Sequence, residues 1–287
     1  MNYQIITDSA CDLPQQMLQE LNVVTVPLIV NFRGEARNDS VEDAQVKELY
    51  DAMRSGEVAS TSAVNPDGWA KVIKPSLEAG MDALVMAFSS GLSTTYQSAV
   101  IAAEELKEAY PDRKIVVVDT CAAALGQGLQ VCHTSKKRDA GLSLEELAAW
   151  VEDAKNHTAH WFTVDDLVYL KRGGRVSAAT AVLGAMLNIK PVLHVDYEGH
   201  LISMVKARGR KAAINTLCAK MGELAGDWDN STVFICHADA LEDAEKLAAM
   251  VKEKYGVKEA FISNLGAVIG SHAGPGTLAL FFMGNEK

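Results

Sequence analysis

The sequence lacks the short motifs that mark nucleotide, zinc and serine-hydrolase sites. It has no G-x-x-x-x-G-K-[ST] segment, which excludes a Walker-type nucleotide loop, and no H-E-x-x-H segment. Its seven histidines show no spacing typical of metal ligands. The strand-to-helix G-x-S-x-G turn that exposes a nucleophilic serine is also missing. Function must therefore be inferred from the loops and from the distribution of charge.

Cysteine is scarce, and no pair of cysteines has C-x-x-C spacing. The five are Cys11, Cys121, Cys132, Cys218 and Cys236. Their odd number and wide scatter argue against a disulfide framework and against a zinc site. A basic n-region with a long apolar h-region is absent from the start of the chain, and the most apolar run, residues 178–195, is interrupted by Lys190 and Pro191. We expect a protein of the reducing cytoplasm, without a membrane span.

The composition is that of a soluble globular protein. The chain has 287 residues, 48% of them hydrophobic and 22% charged, which is enough for two domains with sizeable cores. Its formal net charge of −10 argues against a general nucleic-acid binder. Nucleic acid is therefore not an expected partner.

Short apolar runs alternate with helical segments through the first 156 residues. Strands are predicted at residues 3–7, 23–32, 83–88 and 115–118. This alternation favours a parallel sheet with helices on both faces, and ligands of such sheets bind outside the carboxyl ends of the strands. The loops expected at that edge are the short polar ones at Asp8, Thr61, Ser93 and Asp119.

The segment SSGLSTTY at residues 89–96 lies between a predicted buried strand and a predicted helix. Thr94 and Gln97 have the spacing of a capping box. Unpaired N–H groups at a helix start favour an anion, and five hydroxyls are more than one cap requires. The segment therefore predicts an anion site.

Two further helix starts are predicted from capping residues. Asn65 before Pro66 is a good N-cap and first-turn pair, which puts Thr61 and Ser62 in the preceding turn. Asp12 is predicted to cap a helix with Pro14 in its first turn.

A helix at residues 144–156 is the expected passage to a second domain. After it we predict a strand at residues 158–164 and a short helix at 165–170 that ends at two glycines. An Ala-, Leu- and Met-rich helix is expected at 178–187, and a hairpin turns at Glu198 and Gly199. Alternating helices and strands complete the chain.

His272 lies in the glycine-rich segment SHAGPG at residues 271–276. We predict a backbone-exposed loop there, because glycines let main chain and imidazole approach a ligand closely. A ligand role for His272 is favoured over a structural one.

Residues 171–211 are basic in an otherwise acidic chain, with eight lysines and arginines against two acidic residues. Arg208, Arg210 and Lys211 surround a predicted helix start, where cations oppose the helix dipole. A phosphate or an acidic partner would resolve that conflict, and a solvated basic face is the alternative.

The residues alone leave other functions open. Ser93, His272 and Asp8 could form a hydrolytic triad, although the turn that normally exposes such a serine is missing. A regulatory protein that senses a small organic anion is the third possibility. A reactive Ser93 would favour the hydrolase, and a short soluble acid bound to the protein would favour the sensor.

Six segments, in order along nearly the whole chain, give a specific resemblance. They are residues 7–14 (TDSACDLP), 60–62 (STS), 89–96 (SSGLSTTY), 170–175 (LKRGGR), 187–191 (LNIKP) and 270–276 (GSHAGPG). In this order they resemble the DegV family, whose characterised members are the fatty-acid-binding subunits of a bacterial fatty acid kinase system. The sequence departs from the family pattern at Val64, Thr94 and Ala124, where proline, glycine and serine are usual.

The resemblance implies an α/β fold in two parts. Residues 1–156 would form a three-layer α/β/α domain with a parallel sheet and the carboxylate-binding loops. Residues 157–287 would form a smaller two-layer α/β domain with a mixed sheet that covers the acyl chain and carries the basic segment.

The resemblance also implies a lipid-binding function without catalysis or cofactor. Thr61 and Ser93 would bind the carboxylate of a long-chain fatty acid, with Ser62, Thr94 and His272 nearby. A separate ATP-dependent kinase would convert the acid to an acyl phosphate for phospholipid synthesis, and transient contact with a membrane surface is compatible with this role. From the basic segment we predict that Arg172 and Arg208 contact phosphate or the partner.

Overall fold

The computed structural model describes residues 2–176 and 188–287, so the helix predicted at 178–187 lies outside the described residues. The strands are β1 (Tyr3–Asp8), β2 (Val23–Val26), β3 (Ile29–Phe32), β4 (Glu35–Asn38), β5 (Ser60–Ser62), β6 (Asp82–Ala87), β7 (Ile115–Asp119), β8 (Thr158–Thr163), β9 (Ile189–Val195), β10 (Leu201–Arg208), β11 (Thr232–His237), β12 (Glu259–Asn264) and β13 (Leu278–Met283). The described α-helices are α1 (Gln15–Glu20), α2 (Asp43–Arg54), α3 (Pro66–Glu78), α4 (Thr95–Ala109), α5 (Ala124–Asp139), α6 (Leu144–Ala154), α7 (Val168–Arg172), α8 (Arg210–Leu224), α9 (Leu241–Tyr255) and α10 (Ala267–Ala273).

The predicted parallel sheet is confirmed. Its order is β2-β1-β6-β7, and every neighbouring pair is parallel. Its central strands are almost wholly buried, as expected when helices cover both faces of a sheet. Helices α3 and α4 pack against each other, and so do α5 and α6. From β1 the chain continues to β2 on one side and later to β6 and β7 on the other, so the strand order reverses between β1 and β6. The loops after these two strands therefore flank the point where ligands of such sheets bind.

The second sheet has six strands in the order β10-β9-β8-β13-β11-β12. Only β11 and β12 pair in parallel, so the sheet is mixed, and β9 and β10 form the predicted hairpin. Strand β13 contributes side chains to two hydrophobic cores, one on each face of this sheet. Leu278, Leu280 and Phe282 face a core under α8 and α9, whereas Ala279 and Phe281 face the opposite way, because side chains alternate along a strand.

A third, antiparallel sheet in the order β4-β3-β5 was not predicted. The β-rich run at residues 23–32 divides between two sheets, with β2 in the parallel sheet and β3 in this one. Thr61 and Ser62 lie in β5, so it was wrong to assign them to a turn at the edge of the parallel sheet. Asp8, Ser93 and Asp119 do follow or end strands of the parallel sheet.

The main hydrophobic core is continuous across the two halves of the chain. Ile5 and Leu84 of the parallel sheet belong to the same buried cluster as Phe162, Leu193 and Phe281 of the six-stranded sheet. The sheets themselves divide between β7 and β8, in keeping with the predicted segments 1–156 and 157–287. That division into domains stays a prediction, because a shared core does not define two units.

Of the predicted helix caps, Asp12 is wrong, Thr94 is at the N-cap position but without the predicted capping box, and Asn65 is confirmed. Asp12 has a left-handed backbone with φ of 53° at the end of a short 3₁₀ turn, and α1 starts only after Pro14. Thr94 makes no side-chain capping bond, and Thr95 N donates to Ser93 Oγ instead at 3.2 Å. Asn65 Oδ1 accepts from Gly68 N at 2.8 Å, with Pro66 in the first turn, as predicted.

Among residues 2–176 and 188–287, none of the helices has the length and apolar character needed to cross a membrane.

Candidate ligand-binding site

A cavity of about 470 Å³ lies where the parallel sheet, β5, α10 and the six-stranded sheet meet. That volume is within the range of small-molecule sites. The lining side chains are mostly apolar. The polar ones are Thr61, Ser90, Ser93, Thr94, His160, Arg175, His272 and Thr277.

The six-stranded sheet supplies an apolar wall. Phe162, Val195, Leu201, Ala279 and Phe281 line the cavity from strands β8, β13 and the β9–β10 hairpin. They project from the sheet face opposite α8 and α9. Because alternate residues of each strand point this way, the sheet presents a continuous apolar surface without exposing its backbone.

The serine turn, residues 89–94, forms one polar edge of the cavity. Ser93 and Thr94 follow the end of β6 and both line it. Ser93 Oγ lies 2.8 Å from Thr95 Oγ1, which fixes its position at the start of α4. Ser89 Oγ donates to Gly199 O at 2.9 Å, so the tip of the β9–β10 hairpin rests on this turn. Gly91 permits that contact, since a Cβ there would lie 2.8 Å from Glu198 O.

His272 and Thr61 form a second polar group. His272 Nε2 lies 2.7 Å from Thr61 Oγ1. Burial and then the nearby Arg175 charge lower the pKa of His272 to about 4, so the imidazole is neutral at pH 7. His272 is in the last turn of α10, so the predicted backbone-exposed loop is wrong. Gly173 packs against the ring, because a Cβ there would lie 2.3 Å from His272 Nδ1.

Arg175 places a cation at the cavity, which the sequence interpretation did not assign. Its Nε donates to Leu92 O at 3.2 Å, and its Nη1 donates to Gly173 O. In the described part of the chain, no carboxylate lies within ion-pair distance of it. Burial lowers the pKa of the guanidinium from its usual value, so an anion here would compensate a desolvated charge. The sequence feature that could have identified Arg175 is its position at the end of the LKRGGR segment.

The side chain of Ser62, which was predicted to lie near the carboxylate, does not line the cavity. Its side chain is exposed on the other face of β5, where Oγ accepts from Asn31 Nδ2 at 3.1 Å. Strand alternation explains why neighbouring hydroxyls at Thr61 and Ser62 point apart.

The basic segment divides into paired and exposed cations. Arg210 Nε donates to Asp243 Oδ2 at 2.8 Å. A carboxylate of the protein itself therefore compensates the cation that was predicted to oppose the helix dipole at the start of α8. Lys190 pairs with Asp165 at 2.8 Å. Arg172 and Arg208 are exposed, and the Arg172 guanidinium carbon lies 5.7 Å from the centre of the Tyr169 ring.

The imagined hydrolytic triad is not assembled. Ser93 Oγ pairs with Thr95, and His272 Nε2 pairs with Thr61. Asp8 accepts from Phe88 N at 2.7 Å and Ala10 N at 3.1 Å. Its burial nevertheless raises its pKa to about 7. Asp8 therefore ties the end of β1 to the end of β6 and does not orient the imidazole.

The sequence matches the DegV family model, described as "Uncharacterised protein, DegV family", over residues 2–285. A DegV domain-containing protein of Clostridium perfringens is 44% identical over 286 residues, which is 99% of this chain and 98% of the relative.

Solved structures of similar fold cover the whole molecule. A DegV family protein from Thermus thermophilus, described by its fatty acid binding, has a TM-score of 0.89 at 35% identity and covers 99% of this chain and 100% of its own. A Thermotoga maritima protein described as revealing fatty acid binding function has a TM-score of 0.84 at 30% identity, with 99% of both chains covered.

The fatty acid kinase B3 protein of Streptococcus pneumoniae, loaded with linoleic acid, shares the fold with a TM-score of 0.85 at 22% identity and covers 99% of this chain and 100% of its own. With the family model and a full-length relative in agreement on sequence, and the solved structures in agreement on fold, this chain belongs to the DegV family.

Proposed function

We propose that this protein binds one long-chain fatty acid, with the carboxylate at Thr61, Ser93 and His272 and the tail in the cavity. The observation that carries the proposal is a cavity with apolar walls whose polar groups include an arginine without a carboxylate partner among the described residues. The Thermus and Thermotoga relatives described as fatty-acid-binding support the same ligand class.

The head group would be held by complementary donors. Arg175 supplies a fixed positive charge, and Ser93, Thr94 and Thr61 supply hydroxyls. A neutral His272 can share its hydrogen with Thr61 without adding a second charge. Bonds to a charged group contribute about 1.5–3 kcal/mol each, and they fix which end of the acid meets the serine turn.

The tail would supply most of the affinity. Burial of about 14 methylenes at about 0.8 kcal/mol each gives roughly 11 kcal/mol before the costs of ordering and association are subtracted. That surplus is large enough for slow release. The ligand should therefore survive purification.

We further propose that the protein presents this acid to a separate ATP-dependent kinase in the cytoplasm and transfers no phosphate itself. The acyl phosphate would then enter phospholipid synthesis. This step rests on the family resemblance of the sequence motifs. Exposed Arg172 and Arg208 fit a contact with the kinase or with phosphate, since neither forms an ion pair with a described residue.

Native mass spectrometry of the purified protein tests the binding step. We expect a mass excess of one long-chain acid, reduced in the Thr61→Ala, Ser93→Ala double variant. Ser62→Ala is the matched control, because its hydroxyl lies outside the cavity, and it should keep the full mass excess. A ligand-free mass with no uptake of added palmitate or oleate would refute the proposal, and a bound short soluble acid would favour the sensor function.

Charge reversal tests the presenting step. Arg172→Glu with Arg208→Glu should leave bound lipid unchanged and abolish acyl phosphate formation by the cognate kinase. Lys71→Glu with Lys252→Glu, two exposed lysines outside the basic segment, should alter neither. Loss of lipid with the kinase step intact would show that the two arginines serve retention.

A further inference from the structure

One short segment carries much of the cavity wall and also the histidine. Helix α10 and the residue that precedes its cap contribute five lining side chains: Leu265, Val268, Ile269, His272 and Ala273. A helix of seven residues has too few internal hydrogen bonds to hold its own position in water. Its placement must therefore come from contacts outside the helix.

The start of α10 is held by a carboxylate from the N-terminal part of the chain. Asp39 Oδ1 accepts from Val268 N at 2.8 Å and from Ser40 N at 3.0 Å. Ser9 Oγ donates to Asp39 Oδ2 at 2.8 Å. Ala267 N donates to Ser40 O at 3.0 Å, so two backbone donors of the first turn are satisfied by residues 39 and 40.

The cap Gly266 has little room to move beside this carboxylate. A Cβ at Gly266 would come within 2.2 Å of Asp12 Oδ1 and 3.4 Å of Asp39 Oδ1. Asp39 forms no ion pair with a described residue, and its carboxylate accepts hydrogen bonds from Ser9, Ser40 and Val268. Burial raises the pKa of Asp39 to about 6, which leaves it ionised at pH 7 and able to accept these bonds.

A second anchor holds the segment from the side. The buried Tyr50 hydroxyl of α2 donates to Leu265 O at 2.6 Å. Gly270 packs over the same ring, since a Cβ there would lie 2.2 Å from the Tyr50 hydroxyl oxygen. The opposite end of α10 meets Thr61 through His272.

We infer that Asp39 is a positioning residue for the head-group site, which fixes the start of α10 and thereby sets His272 against Thr61. The inference rests on the proposed function for its consequence in lipid binding. Its structural part does not, because the Asp39 and His272 contacts are both made between residues of the chain itself. Asp39 does not line the cavity that contains Thr61 and His272, so it acts through the helix.

The first test follows the His272 imidazole by NMR in ligand-free protein, with His272→Gln used to assign the signal. The titration midpoint of about 4 in the wild type should move toward the ordinary value of about 6.5 in Asp39→Ala. Asp39→Asn should leave the midpoint close to that of wild type, because it keeps one oxygen for Val268 N and resembles the neutral carboxyl that Asp39 becomes below its own pKa of about 6. Tyr50→Phe, which removes one hydroxyl, should shift the midpoint in the same direction as Asp39→Ala and keep the fold.

Ser143→Ala is the matched control, because Ser143 caps α6 through a capping box whose bonds all run between Ser143 and Glu146. It should lose thermal stability without any change in the His272 midpoint. If Asp39→Ala and Tyr50→Phe likewise lose stability with an unchanged midpoint, Asp39 is merely structural and the inference is wrong.

The second test measures release of a bound fatty acid after transfer to excess acceptor vesicles. Release should be about tenfold faster from Asp39→Ala, less affected in Asp39→Asn and unchanged in Ser143→Ala. A shifted His272 midpoint in a protein that binds no fatty acid would refute the proposed function and leave the positioning role intact. An unshifted His272 midpoint in Asp39→Ala, together with fatty acid binding, would refute the positioning role and leave the proposed function intact.

Discussion

The parallel sheet and the six-stranded sheet meet at one cavity and contribute different chemistry to it. The parallel sheet contributes strand ends, where the chain leaves β6 and presents Ser90, Ser93 and Thr94. The six-stranded sheet contributes a face, where Phe162 and Phe281 lie on strands that are paired with a neighbouring strand on each side.

The contrast has a simple physical origin. Loops after strands have unpaired backbone groups and short polar side chains, so they can bind a charged head group. A sheet face has no free backbone donor, so it offers only side-chain area. If this division is correct, changes on the face should alter affinity most, and changes at the edge should alter orientation and charge recognition.

The largest expected effect comes from filling the cavity on the sheet face. Ala279→Phe should project a ring into the space for the tail and displace about four methylenes. The loss of about 3 kcal/mol would weaken binding of palmitate roughly 100-fold in a fluorescence displacement assay. Octanoate should bind the variant as well as the wild type, because a shorter tail avoids the ring. Equal loss for both acids would place the tail elsewhere.

Removal of the cation at the polar edge should have a smaller effect. Arg175→Ala should weaken fatty acid binding by about 1.5–3 kcal/mol, because a carboxylate in a partly buried site would lose its charged partner. Arg172→Ala is the matched control, since that guanidinium is exposed three residues earlier. Titration calorimetry should separate them, and equal binding by both variants would exclude Arg175 from head-group recognition.

The low pKa of His272 predicts a pH dependence of stability. As the pH falls from about 6.5, the unfolded chain takes up this proton first, whereas folded His272 resists protonation until pH about 4. The free energy of unfolding should therefore fall by about 2 kcal/mol between pH 7 and pH 4, relative to His272→Gln, after allowance for partial exposure. The other histidines are the same in both proteins, so their contributions cancel in this comparison. A difference between the two proteins that is independent of pH in urea unfolding would contradict a neutral buried imidazole.

The last prediction is that the Ser93 hydroxyl has no nucleophilic reactivity. Its Oγ is paired with Thr95 and lacks an adjacent base, so it should not act as a nucleophile. We expect no labelling by a fluorophosphonate probe and no esterase turnover. Stoichiometric labelling that disappears in Ser93→Ala would instead favour the hydrolase.

Local patterns predicted the parallel sheet and its polar edge well. The apolar runs at β1 and β6 are buried strands, as is typical of continuous apolar runs covered on both faces, whereas β7 is an edge strand that is only partly buried. The serine turn was identified because hydroxyls between a strand and a helix start form a local signal. The hairpin of β9 and β10 was found for the same reason, since Glu198 and Gly199 determine the turn over a few residues.

Contacts over long sequence separations were not predictable in this way. Thr61 joins a three-residue strand that is stable only because β3 pairs with it. His272 is in a helix although glycines surround it. The segment is fixed by hydrogen bonds to Asp39 and Tyr50, which are more than 200 residues away in the sequence. Arg175 and Arg210 look alike in the sequence, yet within residues 2–176 and 188–287 only Arg210 forms ion pairs with carboxylates.

The sequence by itself determined the strand and helix alternation, the serine turn and the family. Each depends on residues a few positions apart, whose spacing controls burial and hydrogen bonding directly. Only the tertiary structure decided which polar groups share the cavity, that Ser62 points away from it, and that a cation stands beside the hydroxyls. Those outcomes depend on which elements pack together, because a side chain's partners across the fold, and not its sequence neighbours, set its exposure and its charge.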